Sequence, residues 1–317
     1  MAQSTTSSLR AALHYFDSFD YALTWQELAW YAWQWPAASE GVARLSDVAR
    51  VLDGLGGQVE MREDLWCLAG RDTCINQRKE RYIIAHRKYR KAVRATWWLA
   101  RFPFVRMVAV CNDLAISAAP DESDIDIFVV AAAGHIWMAR LWVCLGVLCG
   151  VLGARPKVNN RRDTLCFSFF ASDDALDFSG LALPLVDGVP DVYLIYWIAL
   201  LMPLYDAGGV YDRFYDENIW VAEYVPGRPR QTGHPGRRIV LGGGIQYCKA
   251  GCEWVTASAW LERAARWIQL KIMPVSLRER ANADSCVVMS ERYLKFHTND
   301  RRALYRERWE KACQMYD

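Results

Sequence analysis

No run of about 20 uncharged residues, the length a membrane helix needs, occurs in this 317-residue sequence. Residues 1–15 lack a continuous apolar stretch, so no signal peptide is predicted. The net charge is only +2, which excludes a global basic field as the means of attracting nucleic acid. Of ten cysteines, only Cys248 and Cys252 lie close together, and no second pair accompanies them, so a zinc centre of paired cysteines is not expected. Gly242-Gly243-Gly244 lacks the Lys-Ser/Thr of a phosphate loop. No internal repeat is visible, and no Ser/His/Asp or Cys/His arrangement stands out.

What is present points to a packed interior. The apolar fraction is 53%, with 15 tryptophans, and the length suits two or three domains. Cys144, Cys149 and Cys166 lie inside apolar runs, where a reduced thiol behaves as a small hydrophobe. Free thiols and the missing signal peptide predict a cytoplasmic protein. Residues 135–153 and 192–205 are the longest apolar runs. Arg140 and three glycines interrupt the first, and the second is only fourteen residues long, so both are read as buried segments and no membrane partner is predicted.

The densest chemical signal is Ser123-Asp124-Ile125-Asp126, followed by Ile127-Phe128-Val129-Val130. On a strand, alternate side chains share a face. Asp124 and Asp126 therefore point one way while Ile125 and Ile127 enter a core. Adjacent carboxylates repel and lose hydration unless a positive charge compensates, and a divalent cation with oxygen ligands, typically Mg²⁺, is the simplest compensator. Upstream, residues 104–110 read as a buried strand. Cys111-Asn112-Asp113 is a polar break, and Leu114 to Ala119 a short helix.

This order of strand, turn, short helix and acidic strand resembles the nucleotidyltransferase superfamily, the polymerase-β-like fold. The family signature is Gly-Ser, ten residues, then Asp-x-Asp; here Asn112-Asp113 stands at Gly-Ser, and ten residues separate Asp113 from Asp124. The motif covers about 25 residues and the surrounding pattern roughly 104–215. Three departures are visible. Asn112 replaces a glycine that lets amides approach a triphosphate, although Asn tolerates a left-handed backbone. Asp113 replaces a phosphate-binding serine, and a carboxylate there is repulsive unless it binds metal or caps the following helix. Ser117 stands where a second glycine is common. Transferring members also carry a third acid on a neighbouring strand. The matching segment, residues 164–170, has none; Asp163, Asp173 and Asp174 flank it, and Ser168, on the same face as Cys166, is read at the vacant position.

The flanks carry further expectations. Residues 1–75 read as a winged-helix-like module. It has a helix over 8–16, a second opened by the capping box Thr24-Trp25-Gln26-Glu27 and running through Trp33, a third over 47–55 capped by Ser46, and a hairpin over 58–68 turning near Arg62-Glu63-Asp64. Arg44, Asp47, Arg50 and Asp53 cancel on the third helix, which disfavours groove reading. Residues 76–103 form a connector helix. From 78 to 101 it carries nine cations against Glu80, with Tyr82, Tyr89, Val93 and Trp97 as its anchoring side and nucleic acid as a candidate partner of its cationic side. Residues 216–317 read as a helical region. It holds a flexible basic loop over 226–251 that contains no acid, an amphipathic helix over 253–272, and a last helix capped by Asp300. Tyr205 to Gly209 is read as a helix end, and His297 as part of the terminal structure.

The fold expected is thus α+β. A polymerase-β-like core of mixed sheet and helices, residues 104–215, stands between an N-terminal winged helix and a C-terminal helical region. The resemblance implies a metal-dependent nucleotidyltransferase that moves a nucleoside monophosphate from an NTP to an acceptor. Asp124 and Asp126 would be the catalytic Mg²⁺ ligands, and Asn112, Asp113 and Ser123 would border the nucleotide. The alternative is a silent member of the same fold that binds nucleotide or nucleic acid as a regulatory module. No feature specifies an oligomeric state.

Overall fold

Amphipathic spacing and one strong cap organise the N-terminal region. The computed structural model describes residues 5–34, 48, 52, 55–153, 162–297 and 300–314. Helix α1 (Thr5–Asp17) buries Leu9, Leu13 and Phe16. Helix α2 (Trp25–Tyr31) opens on the expected capping box: the Glu27 N–H donates to Thr24 Oγ1 at 3.2 Å and the Thr24 N–H to Glu27 Oε2 at 2.8 Å. It ends two residues before Trp33, whose N–H leaves the helix to reach the Ser8 carbonyl at 3.1 Å. The helix expected over 47–55 lies mostly outside the described residues; Val48, Leu52 and Leu55 are buried.

Strands β1 (Leu23–Thr24), β2 (Val59–Arg62) and β3 (Leu65–Leu68) form an antiparallel sheet in the order β1-β3-β2. The β2–β3 turn is made by Glu63 and Asp64, both at positive φ (56° and 60°), as a two-residue hairpin turn requires.

Helix α3 (Thr73–Leu99) follows and leads into a six-stranded mixed sheet. Its strands are β4 (Val105–Val110), β5 (Ile125–Ala131), β6 (Leu165–Ser172), β7 (Met202–Asp206), β8 (Val287–Met289) and β9 (Tyr293–Phe296), in the order β7-β4-β5-β6-β9-β8. Only β5 and β6 pair in parallel, and helix α5 (Ile136–Leu148) provides part of the crossover that a parallel pair demands. A short helix α4 (Asn112–Ala115) joins β4 towards β5. One face of the sheet, with Met107, Phe128, Val130 and Phe169, packs with α1, α2 and helix α6 (Val192–Leu200). The other, with Val108, Ile127, Val129 and Phe170, packs with α3 and α5. Helix α7 (Val210–Glu217) follows β7, and α8 (Gly243–Thr256), α9 (Ala259–Ile272) and α10 (Val275–Glu279) precede β8. Helix α11 (Arg302–Gln314) follows β9; Asp300 accepts the Arg302 N–H at 3.1 Å, but the first helical carbonyl is that of Arg301, which accepts the Tyr305 N–H at 2.9 Å, so Asp300, expected as the cap, sits one residue before the cap position.

The mixed α/β architecture agrees with the expectation; several local readings are corrected. Residues 202–206 are strand rather than the end of a helix, because Pro203 and the pairing of Val108 with Tyr205 stop α6 at Leu200. Residues 243–251 are helical, with Gly242 as N-cap, so the triple glycine opens α8. The single helix expected over 253–272 is two, broken at Ala257-Ser258. On α3, Tyr82 and Trp97 are exposed, and the buried side is Ala85, Lys88, Tyr89, Ala92 and Leu99. Among the described residues no helix is long and apolar enough to cross a membrane. All ten cysteines are free thiols.

Candidate functional site

Alternation on β5 works as expected. Ile125 and Ile127 are fully buried against α3 and α5, which turns Asp124 and Asp126 to the opposite face, beside Phe128. Strand register then brings Cys166 of β6 directly opposite Asp126. Ligand atoms of Asp124, Asp126 and Cys166 all lie within 4.8 Å of one another. The third donor is therefore Cys166 rather than Ser168, whose hydroxyl hydrogen-bonds His297 Nε2 at 3.2 Å. The difference comes from a register shift between Asp126 and Phe128, which periodicity along one strand does not reveal. None of the three flanking acids fills the vacant position. Asp163 pairs with Arg87 and Lys88, Asp173 accepts the Ala133 N–H, and Asp174 accepts the Ser172 hydroxyl.

At the β4–α4 turn Asn112 has φ 55°, the left-handed conformation its side chain tolerates. Its amide donates to Asp126 Oδ2 at 2.7 Å and its oxygen accepts the Tyr193 hydroxyl at 3.1 Å. Asn112 thus orients a carboxylate. Asp113 is not a cap, since α4 starts one residue earlier with Cys111 at the cap position. Its carboxyl faces a small cavity with Tyr15, Phe19, Ile116 and Tyr193. Ser117 is also left-handed, at φ 60°. The Ser123 hydroxyl donates to the Pro120 carbonyl at 2.9 Å, so it shapes the loop before β5.

That loop has a clamp that the sequence reading assigned to another role. Lys88 is wholly buried; its ammonium pairs with Asp163 at 2.9 Å and donates to the carbonyls of Asp121 at 3.1 Å and Ser123 at 2.6 Å. Arg87 binds Asp121 and Asp163 beside it. Lys88 thereby holds the backbone immediately before Asp124, and Arg87 holds the Asp121 side chain of the same loop. Lys88 lies 35 residues before Ser123 in sequence, so nothing local signals this role; only the packing of α3 does.

Electrostatics at the site are unbalanced. Burial and then the Asp124 charge push Asp126 up to about 6, against the Asn112 hydrogen bond. Burial, Asp126 and Asp124 push Asp113 up to about 6, against Arg81. Burial and the same carboxylates push the Cys166 thiol up to about 12, so it is neutral at physiological pH. Among the described residues no lysine or arginine forms an ion pair with Asp113, Asp124 or Asp126. A cation would relieve this repulsion, and the two carboxylates suit a hard ion such as Mg²⁺, with a thiol a poor third ligand for it.

Next to Asn112 opens a cavity of about 380 Å³. Phe169, Tyr193, Trp197 and Tyr305 give it aromatic walls, and Lys295, His297 and Arg301 a polar side. Tyr193 stacks on Tyr305 with centroids 5.3 Å apart. Lys295 and Arg302 converge on Asp300, which they hold well below the usual carboxylate range against the effect of burial.

Comparisons with protein-family models, curated proteins and solved structures return no match to this chain.

Proposed function

We propose that the protein is a metal-dependent nucleotidyltransferase of the polymerase-β-like type, with NTP as donor. The observation carrying this reading is the pair Asp124 and Asp126, side by side without an ion-pairing cation among the described residues, with Asn112, which donates to Asp126, lining a cavity that has aromatic and polar walls. The succession β4, α4, acidic β5, α5 and β6 supports it, because it follows the order of elements that the resemblance implies.

In this reading Asp124 and Asp126 hold Mg²⁺, which supplies charge stabilisation at the transferring phosphoryl group. Asn112 fixes the Asp126 carboxylate through one hydrogen bond and is itself fixed by Tyr193. Lys88 and Arg87 hold the loop that sets Asp124. Trp197, Phe169 and Tyr193 offer faces for a base, and Arg301 offers charge for an anionic group, Lys295 being paired with Asp300. The β1-β3-β2 sheet beside α1 and α2 supports the winged-helix reading of the N-terminal region. A nucleic-acid contact on α3 would fall to Arg90, Lys91 and Arg94, since Arg78, Lys79, Arg81, Arg87 and Lys88 are bound to acidic partners within the chain and Arg101 donates to the Trp97 carbonyl. Free thiols fit a cytoplasmic setting.

A second reading, a silent nucleotide-binding module, is favoured by Cys166, a neutral thiol, at the position opposite Asp126. Calorimetry with Mg²⁺ and ATP, comparing the parent with Asp124→Ala/Asp126→Ala, tests the common part: binding dependent on Mg²⁺ and lost in the variant is expected, and equal binding by both rejects both readings. Incubation with labelled NTPs and total RNA separates them. Label transfer abolished in the variant supports the enzyme; nucleotide binding without transfer supports the silent module.

A further inference from the structure

Helices α8 and α9 carry a surface that the nucleotide site does not use. Their inner sides are fully engaged. Lys249 donates to the Ala100 carbonyl at 2.9 Å and to that of Val105, and Glu253 accepts the Phe104 N–H at 2.7 Å and pairs with Arg106. On α9, Glu262 accepts the N–H groups of Trp137 and Met138, and Gln269 donates to the Trp137 carbonyl. The outer sides are aromatic. Tyr247 and Trp254, seven residues apart on α8, are 82% and 84% exposed; Trp260 and Trp267, seven apart on α9, are 63% and 60% exposed. A spacing of seven is two helical turns, so each pair shares one stripe. Val255, Ile268 and Ile272 are exposed beside them.

Charge on these helices is sorted by side. Between residues 242 and 278 the only acids are Glu253 and Glu262, and both are bound inward. Arg263, Arg266 and Lys271 are exposed without an ion pair among the described residues, and the Lys271 ammonium lies 4.7 Å from the Trp267 ring centre. Exposed aromatics of this number are rare on a surface that meets only water.

We propose that the outer face of α8 and α9 docks on an anionic lipid surface, lying in the headgroup region without spanning the bilayer. Indole and phenol rings favour that region, aliphatic side chains reach the acyl boundary, and cations are drawn to acidic headgroups. A nucleic acid would use the rings and the cations and leave Val255, Ile268 and Ile272 in water. A second copy of the same face would oppose cation to cation.

Co-sedimentation with vesicles of phosphatidylglycerol and phosphatidylcholine, against vesicles of phosphatidylcholine alone, tests the proposal. The parent is expected to sediment with the acidic vesicles and weakly with the neutral ones. Arg263→Gln/Arg266→Gln/Lys271→Gln should weaken binding roughly a hundredfold, from the surface attraction of three cations. Trp254→Ala/Trp260→Ala/Trp267→Ala should also release the protein, and both variants should keep the parent's circular dichroism and melting, since every altered side chain is exposed. Failure to bind acidic vesicles, equal binding to both vesicle types, or binding unchanged in either variant overturns the proposal. Binding of a single-stranded RNA, or self-association seen by sedimentation velocity, that depends on these residues in a protein that ignores vesicles would also overturn it and give the face to that partner.

Discussion

Lys88 is enclosed on all sides, and the groups it satisfies lie on both sides of the acidic motif. Lys88→Met should cost about 3 kcal/mol, because two carbonyls lose their buried donor and Asp163 loses its buried partner. Denaturant titration measures that loss, and calorimetry of the variant should show weakened Mg²⁺-dependent nucleotide binding as the loop before Asp124 loosens. Asp126 makes the opposite trade. Its folded pKa is raised from 3.8 to about 6, so its charge opposes folding, and stability falls as pH climbs through that interval. In chelator at pH 7, Asp126→Asn should therefore raise stability by about 1 kcal/mol, while added Mg²⁺ should raise the melting temperature of the parent and not of the variant. His297 has the reverse sign: burial first, then Lys295, lower its pKa from 6.5 to about 4. Its neutral form stabilises the fold above pH 6.5, and that contribution is lost as pH falls towards 4. The stability difference between the parent and His297→Gln should shift by about 2 kcal/mol across that window, read from urea melts at several pH values.

Secondary elements were legible where a local rule dominated. The capping box of α2, the hairpin turn at Glu63-Asp64 and the alternation on β5 all rest on neighbours in sequence. The misread elements depend on distant partners. Strand β7 forms because β4 accepts it, and α8 begins at glycine because Lys249 and Glu253 anchor it to residues 100–106. Helix α3 shows both cases. Its cations were countable in the sequence, but their acidic partners lie 16 to 76 residues away: Glu63 for Lys79, Glu27 for Arg78, Asp163 for Arg87. The site divides similarly. Asp124 and Asp126 were visible, whereas Cys166 needed strand register and Lys88 needed helix packing. Arg78, bidentate on Glu27 and 4.3 Å from the Tyr21 ring centre, should cost about 2 kcal/mol as Arg78→Ala. Arg90→Gln and Arg94→Gln, on the exposed side, should each stay within about 0.5 kcal/mol of the parent. Thermal melts of the three variants distinguish a structural from a free cation.

At the scale of the molecule, the N-terminal region shares one core with the sheet. Tyr15 of α1 stacks on Tyr196 of α6 at 3.9 Å, the Tyr196 hydroxyl donates to the Tyr31 carbonyl at 2.8 Å, and Trp33 packs against Trp309 of α11 at 5.0 Å. This continuity predicts a single cooperative unfolding transition, followed by calorimetry; separate transitions for the N-terminal region and the sheet would contradict it. Trp309→Ala, which removes a buried indole and its 2.8 Å hydrogen bond to the Ala11 carbonyl, should cost about 4 kcal/mol and lower that one transition as a whole. The same bond joins residues 298 positions apart. During synthesis, then, the aromatic side of α1 leaves the ribosome long before its cover is made, and must wait exposed while the rest of the chain is translated. Such long-range closure slows folding and leaves the nascent chain open to wrong associations, so yield in a cell should depend on chaperones that hold the first helix until the last one arrives.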